Sequence, residues 1–193
     1  MRESLKSIAR AAALFAVVPS LASYYIRSSF MGRDRALEGS SQLLALVPGV
    51  TGQYLRQAFL ARSLRGCAPS ATVSFGTIFS KAGARLDDRV YVGPGCSLGL
   101  VHIEQDVLIG SGVQITSGAE THGTADLSRP IREQEGRMVL VRIGAGSWIG
   151  SGAIVMADIG ANSVVGAGAV VTKPVPDSVV AAGVPATVLR PRA

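Results

Sequence analysis

The stretch "IGAGSWIGSGAIVMADIGANSVVGAGAVV", Ile143–Val171, decides the fold. A branched aliphatic residue returns at about every sixth position, and glycine or alanine follows it closely. A period of six fits neither the 3.6-residue period of a helix nor the alternation of a long strand. Each unit is therefore a short strand and a tight turn, which glycine eases. Including the upstream copies, the aliphatic positions are Leu86, Val92, Ile103, Ile109, Ile115, Ile143, Ile149, Val155, Ile159, Val165 and Val171.

Three such units close a triangle, and successive triangles stack their aliphatic side chains in a common interior. Two units are short, since Leu98 to Ile103 is five residues and Val155 to Ile159 is four. Residues 70–185 leave room for roughly five coils. The pattern predicts a mainly β protein, a parallel β-helix with a short helical N-terminal segment. The residue four places after an aliphatic is small or β-branched, which suits a crowded corner: Val90, Cys96, Val107, Val113, Ala119, Ser147, Ala153, Ser163, Ala169 and Val175.

Composition narrows the class of protein. The chain has 193 residues, of which 48% are hydrophobic and 17% charged, so a disordered chain is excluded. Its two cysteines, Cys67 and Cys96, give neither a disulfide framework nor a zinc-binding spacing. A reduced, cytoplasmic setting follows from this cysteine usage.

Positive charge is concentrated in the N-terminal third. Residues 1–65 contain nine Lys/Arg against three Asp/Glu, whereas residues 66–193 contain ten of each. The entire net charge of +6 therefore precedes residue 66, which indicates an anionic partner. Because no nucleic-acid-binding motif accompanies the charge, an anionic membrane is the better candidate.

An apolar run, residues 11–26, lies between Arg10 and Arg27. It is shorter than the roughly 20 residues that span a bilayer, and it contains Pro19. Three interpretations stay open: a signal peptide, an interfacial helix, or a cap on the open end of the β-helix. A second apolar stretch, residues 43–61, is divided by Pro48-Gly49 into two short helices. We expect a helical segment at 1–65 and a β-helix domain at 66–193 that ends in a C-terminal tail.

The repeat is interrupted at residues 121–142. Loops longer than about 12–15 residues are usually functional or disordered. This one carries His122, directly after the unit Ile115–Glu120, so a rigid coil would hold the imidazole in place. Imidazole titrates near neutral pH, which makes His122 our candidate general base. A solvated loop histidine is the alternative. We expect the other histidine, His102, to be a surface or intersubunit residue.

Three runs resemble the hexapeptide-repeat acyltransferases, above all the sugar and surface-polysaccharide O-acetyltransferases. These runs are "HG…RPIREQ", "VRIGAGSWIGSGAIV" and "VVGAGAVVTKPVPDSVVAAGVPATVLR", within residues 70–190. The resemblance implies a left-handed β-helix and transfer of acetyl from acetyl-CoA to a hydroxyl, with a histidine base and no metal. It also implies a homotrimer with active sites between chains. Glu135, nine residues before Gly144, resembles a glutamate of galactoside acetyltransferases, and Glu133 is the competing carboxylate.

The same resemblance implies a coenzyme A site. Small residues would let the pantetheine arm lie close to the backbone, and cations would approach the nucleotide phosphates. Trp148 would touch the coenzyme or, equally, a neighbouring chain, and the two basic residues could simply be solvated. The implied residues are Trp148, Ser151, Ala167, Thr172, Lys173 and Arg190.

Other functions remain as alternatives. The fold also serves serine acetyltransferases, whose N-terminal domain is longer and less basic, and it could serve as a non-catalytic scaffold. A zinc-dependent carbonic anhydrase of this fold would need three histidine ligands, and this chain has two. With a lipid-linked glycan as acceptor, the protein would lie on the inner face of the cytoplasmic membrane, where acetyl-CoA is available.

Overall fold

A computed structural model describes residues 2–193, with side chains from Lys6 onward. Three helices precede the β-helix: α1 Arg2–Met31, α2 Arg33–Ala45 and α3 Gly49–Ser63. Pro19 lies within α1 without ending it. Of the two short helices expected within residues 43–61, the second is α3, whereas the residues before Pro48 only contribute the end of α2, which begins at Arg33.

Short strands follow one another in three flat sheets. Sheet 1 contains β1, β4, β7 and β10; sheet 2 contains β2, β5, β8, β11, β13, β15 and β16; sheet 3 contains β3, β6, β9, β12 and β14. All pairings are parallel except that of β15 with β16. The strand bounds are β1 Gly66–Cys67, β2 Thr72–Val73, β3 Ile78–Phe79, β4 Arg85–Leu86, β5 Tyr91–Val92, β6 Ser97–Leu98, β7 Val101–Ile103, β8 Leu108–Ile109, β9 Gln114–Ile115, β10 Val141–Ile143, β11 Trp148–Ile149, β12 Ile154–Val155, β13 Val164–Val165, β14 Val170–Val171, β15 Val179–Gly183 and β16 Ala186–Pro191.

The strands form five complete coils and a partial sixth, because Ile159 and Val175 continue sheet 1 as single bridges. The first coil begins at Gly66, slightly before the expected residue 70. The predicted fold, a left-handed parallel β-helix with N-terminal helices, is confirmed.

The predicted interior is also observed. Every repeat aliphatic is buried, with at most 2% of its surface exposed. Nine of the ten predicted corner residues are buried as well, Val175 being the most exposed of these at 6%. Ala119 is the exception and is exposed, because the chain leaves the coil directly after Ile115. The irregular excursion therefore spans residues 116–140 rather than 121–142.

The helices cover the open end of the first coil. Main-chain groups on that edge have no preceding strand to pair with and need other partners. Ser41 Oγ of α2 accepts a hydrogen bond from the Phe79 amide at 2.9 Å. Asp34 Oδ1 accepts one from the Ala82 amide, also at 2.9 Å. Side chains of α2 thus substitute for the missing strand.

Arg56 of α3 completes this cap. Its Nε donates to the Val73 carbonyl at 3.0 Å, and its Nη1 donates to the carbonyls of Leu44 at 3.0 Å and Val47 at 2.7 Å. Only 2% of the residue is exposed. Arg56 is one of the nine Lys/Arg residues of the N-terminal third, but it is buried and is not available to an anionic partner.

Candidate active site

The excursion consists of two arms that run side by side. The Arg137 amide donates to the Glu120 carbonyl at 2.6 Å, and the Val139 amide donates to the Ser117 carbonyl at 2.8 Å. Farther out, a Cβ on Gly123 would lie 2.6 Å from the Glu135 carbonyl oxygen. The arms touch without an intervening side chain.

Gln134 closes the tip of the excursion. Its Oε1 accepts from the Asp126 amide at 3.0 Å, and its Nε2 donates to the carbonyls of Asp126 at 2.7 Å and Arg129 at 3.0 Å. A single 3₁₀ turn, Ile131–Glu133, lies inside the loop so formed. Our sequence reasoning missed Gln134 because it weighed only the neighbouring carboxylates, although an amide can both donate and accept.

His122 and the two predicted carboxylates all lie on this excursion, with exposed side chains. His122 is on the outgoing arm. Glu135 is on the return arm, and its main chain passes against Gly123, the residue after His122. Glu133 lies in the 3₁₀ turn beyond that contact, 3.7 Å from the Arg132 guanidinium. The main chain thus brings Glu135 beside the histidine.

An open cavity of about 250 Å³ lies at the root of the excursion. It occupies the corner between sheets 3 and 1, where the chain leaves β9 and enters β10. Its charged lining residues are Glu120, Arg137 and Asp158. They come from three separate parts of the sequence, and the fold brings them together.

Trp148 and Arg190 share the outer face of sheet 2. Trp148 is 52% exposed and continues a row of exposed side chains formed by Tyr91 and Leu108. Across neighbouring strands, Trp148 pairs with Val164 of β13, Val164 pairs with Val180 of β15, and Val180 pairs with Arg190 of β16. Three strand spacings separate the two residues, or about 14 Å along the helix axis.

The remaining predicted coenzyme residues fall into two pairs at different corners. Ser151 and Ala167 stack at the corner between sheets 2 and 3, one coil apart, with the Gly168 amide donating to the Ser151 carbonyl at 2.9 Å. Thr172 and Lys173 follow β14 at the corner between sheets 3 and 1, where the excursion also departs. A strand and its turns, about 16 Å of extended chain, separate these corners. One chain therefore does not bring all six residues together.

His102 lies away from this constellation, on sheet 1. Its Nε2 is 2.9 Å from Asp87 Oδ2. Burial alone would raise the pKa of the Asp87 carboxyl, but hydrogen bonds from Arg85 and His102 outweigh it and hold that pKa below its usual value. A histidine with such a partner is a structural residue of the coil surface.

The cysteines are poorly suited to nucleophilic chemistry. Burial raises the pKa of the Cys67 thiol to about 12. Burial also raises the pKa of Cys96, whose Sγ faces the Gly110 carbonyl at 3.1 Å. Since the thiolate is the reactive form, both side chains serve packing. Among the residues that the structure describes, no three His, Cys, Asp or Glu side chains form a metal-binding group.

Residues 140–173 match the sequence profile of a protein family described as the hexapeptide repeat of succinyl-transferase. These coils are hexapeptide repeats. No curated protein sequence matches the chain.

Several solved structures share the hexapeptide β-helix. A galactoside acetyltransferase in complex with coenzyme A superposes with a TM-score of 0.66 at 23% identity, covering 83% of this chain and 81% of that one. A maltose O-acetyltransferase from Clostridium difficile 630 gives 0.57 at 21%, covering 86% and 91%. An N-acyltransferase from Bacillus cereus, bound to dTDP-4-amino-4,6-dideoxyglucose and coenzyme A, gives 0.54 at 17%, covering 64% and 70%. The predicted resemblance to hexapeptide-repeat acyltransferases is confirmed for the repeat and the fold.

Proposed function

We propose that the protein is an acetyl-CoA-dependent O-acetyltransferase whose acceptor is a hydroxyl of a sugar or surface-polysaccharide intermediate. The observation that carries this proposal is the two-armed excursion, which presents His122 beside a rigid hexapeptide β-helix. The fold neighbours support it, because they include galactoside and maltose acetyltransferases and a complex with coenzyme A. Acetyl-CoA is a co-substrate, and the reaction needs no metal.

The chemistry requires little more than a base. A thioester is already activated, so no covalent enzyme intermediate is needed. His122 accepts the proton of the acceptor hydroxyl as its oxygen attacks the thioester carbonyl. The tetrahedral intermediate then expels the coenzyme A thiolate, which takes the proton from the imidazolium. Glu135, across the arms from His122, is our preferred carboxylate for orienting the imidazole or the acceptor.

A homotrimer accounts for the division of the coenzyme residues between two corners. If the corner between sheets 2 and 3 of one chain faced the corner between sheets 3 and 1 of the next, Ser151 and Ala167 would meet Lys173 and the excursion. Such a head-to-tail contact closes into a ring of three when a threefold rotation relates successive chains. It would also cover the exposed row of Tyr91, Leu108 and Trp148.

The direct test is His122→Ala, with His102→Gln as the matched control. Loss of a general base typically costs about 10²- to 10⁴-fold in turnover. We expect that loss in the His122 variant alone, measured as thiol release from acetyl-CoA with a panel of sugars, while calorimetric binding of coenzyme A is unchanged. If both variants retain turnover, His122 is not the base. If the unaltered protein does not bind coenzyme A, the scaffold alternative holds, and acetylation of serine but not sugars would favour the serine acetyltransferase alternative.

A further inference from the structure

Helix α1 is apolar on two opposite faces. The inner face carries Ala13, Val17, Leu21 and Tyr24, each at most 8% exposed. These side chains pack against α2 and α3, and the Tyr24 ring meets Phe59 edge-on at 5.7 Å between centroids. Burial of this face holds α1 on the cap of the β-helix.

The opposite face, here called the outer face, is also apolar, and none of the side chains that the structure describes, from Lys6 onward, packs on it. Arg10 and Arg27, the charged residues on either side of the apolar run, point away from the outer face. Arg10 Nη2 donates to the Pro69 carbonyl at 3.3 Å, and Arg27 Nη2 donates to Ser40 Oγ at 2.6 Å. The large side chains of the outer face are Ile8, Phe15, Val18, Ile26 and Phe30, exposed by 68%, 82%, 51%, 62% and 85%.

This arrangement is unusual for a surface helix. A helix on a protein surface normally turns charged or polar residues toward water. At about 150–200 Å² for each large side chain, these five expose on the order of 600 Å² of apolar surface. That area is at the upper end of the largest patch on a typical monomer, about 300–600 Å², and patches of this kind mark interaction sites.

The contacts of α1 decide how it could meet a membrane. By length and composition, Lys6–Met31 could cross a bilayer, and 22% of its most apolar window is buried against the rest of the chain. A transmembrane orientation would pull Tyr24 out of the cap and break the bond from Tyr25 Oη to the Arg62 carbonyl at 2.8 Å. An orientation flat in the interface keeps every inner contact and buries the outer face about 5–10 Å deep.

The charge beside the helix favours anionic lipid. Lys6 and Arg10 of α1, together with Gln53 and Gln57 of α3, line an open cavity of about 310 Å³. None of the described residues lining it is acidic. Arg10 is turned toward the first coil, so these cations attract an anionic leaflet through their electric field, over about a Debye length of 8–10 Å, rather than by direct contact with headgroups.

We propose that the outer face of α1 docks the protein flat onto an anionic membrane surface. The docking itself is independent of the enzymatic activity. Its assignment to the cytoplasmic leaflet rests on the proposed function, because the acetyl donor is cytoplasmic. The β-helix then stands on the membrane through its capped end.

Vesicle flotation tests the proposal with point variants that spare the cap. The docking variant is Phe15→Ser/Phe30→Ser, and the control is Leu127→Ser, which removes a 99% exposed apolar side chain on the excursion. We expect unaltered protein and control to float with vesicles of phosphatidylglycerol and phosphatidylcholine, and to float less with phosphatidylcholine alone. Partitioning of the docking variant should be at least about tenfold weaker. Equal melting temperatures of the three proteins establish that each is folded.

Several results would overturn the docking proposal. They are failure of the unaltered protein to float, equal flotation of the docking variant, and equal binding to neutral vesicles. A smaller mass by light scattering for the docking variant, without any vesicle binding, would instead assign the outer face to a second copy of the chain. Acetyl transfer to a soluble sugar, measured without vesicles, should be the same in the docking variant, so failure of docking and failure of the enzymatic proposal are distinguishable.

Discussion

Replacing Gly136 by alanine tests whether contact between the two arms sets the position of His122. A Cβ at residue 136 would collide with the carbonyl group of Thr121 and the amide nitrogen of His122. These are main-chain atoms, which cannot move aside as the end of a flexible side chain can. Ordinary contacts begin near 3.4 Å, so the arms must separate by about 1 Å. Gly136 is not one of the glycines with positive φ, so the substitution acts through space rather than through backbone strain.

The expected loss follows from that displacement. Misplacing a reacting group by about 1 Å can cost 10²-fold in rate, which corresponds to about 2.7 kcal/mol of transition-state stabilisation. The coils lie outside the excursion, so the melting temperature should change by less than about 2–4 °C, the equivalent of 1 kcal/mol. Turnover should therefore fall in this variant while the melting temperature stays almost unchanged.

The assay is steady-state turnover of acetyl-CoA across a graded series. Gly123→Ala has a lesser conflict, 2.6 Å from the Glu135 carbonyl oxygen, and should lose less activity. Gly66→Ala meets only the flexible Arg85 side chain at 3.5 Å and serves as the control. Unchanged turnover in Gly136→Ala, or equal losses across the series, would refute the claim that the paired arms position the base.

Three further outcomes are expected. Arg56→Met should lower the free energy of unfolding by about 3 kcal/mol in chemical denaturation, because buried carbonyls lose their donors. The control Arg62→Met, at an exposed site, should change it by less than about 0.5 kcal/mol. Equal effects of the two substitutions would contradict the capping role of Arg56. The pKa of Glu104 is lowered, chiefly by a hydrogen bond from Arg142, so its stabilisation is complete above the unfolded pKa of about 4.3 and is lost as pH falls through the folded pKa. Glu104→Gln should accordingly flatten the acid-side decrease in melting temperature, and an unchanged pH profile would count against this linkage. Simultaneous replacement of Cys67 by serine and Cys96 by alanine should preserve turnover, and loss of turnover in a variant with an unchanged melting temperature would place a thiol in the mechanism.

The repeat could be predicted from sequence because its signal is local and redundant. Each repeat aliphatic of Ile143–Val171 is buried at the same position of its coil, and the neighbouring coils repeat this pattern. Glycine at the turns supplies the matching conformational freedom, as at Gly152 with φ of 70°. The local backbone preferences and the tertiary packing favour the same structure in every unit, so the periodicity alone was sufficient to predict the β-helix.

The excursion and the cap could not be predicted in this way, because their contacts join residues without a common period. Nothing in the sequence pairs Gln134 with Asp126. A count of charges does not distinguish Arg56 from the other cations of residues 1–65, whereas in the structure three carbonyls hold it in the interior. The division of the coenzyme residues between two corners was likewise not predicted, since these residues were inferred one by one from the resemblance and not by counting repeat positions around the coil.

The cap on the first coil also has a consequence for solubility. A stack of parallel coils ends in exposed strand edges, which are templates on which another chain can add strands. In this protein the amide of Phe79 is already bound to a serine hydroxyl and the carbonyl of Val73 to a guanidinium. Three helices also stand where the next coil would have to dock. The N-terminal segment thus covers this edge, and we expect a truncation that removed it to leave the first coil open to strand addition by another chain.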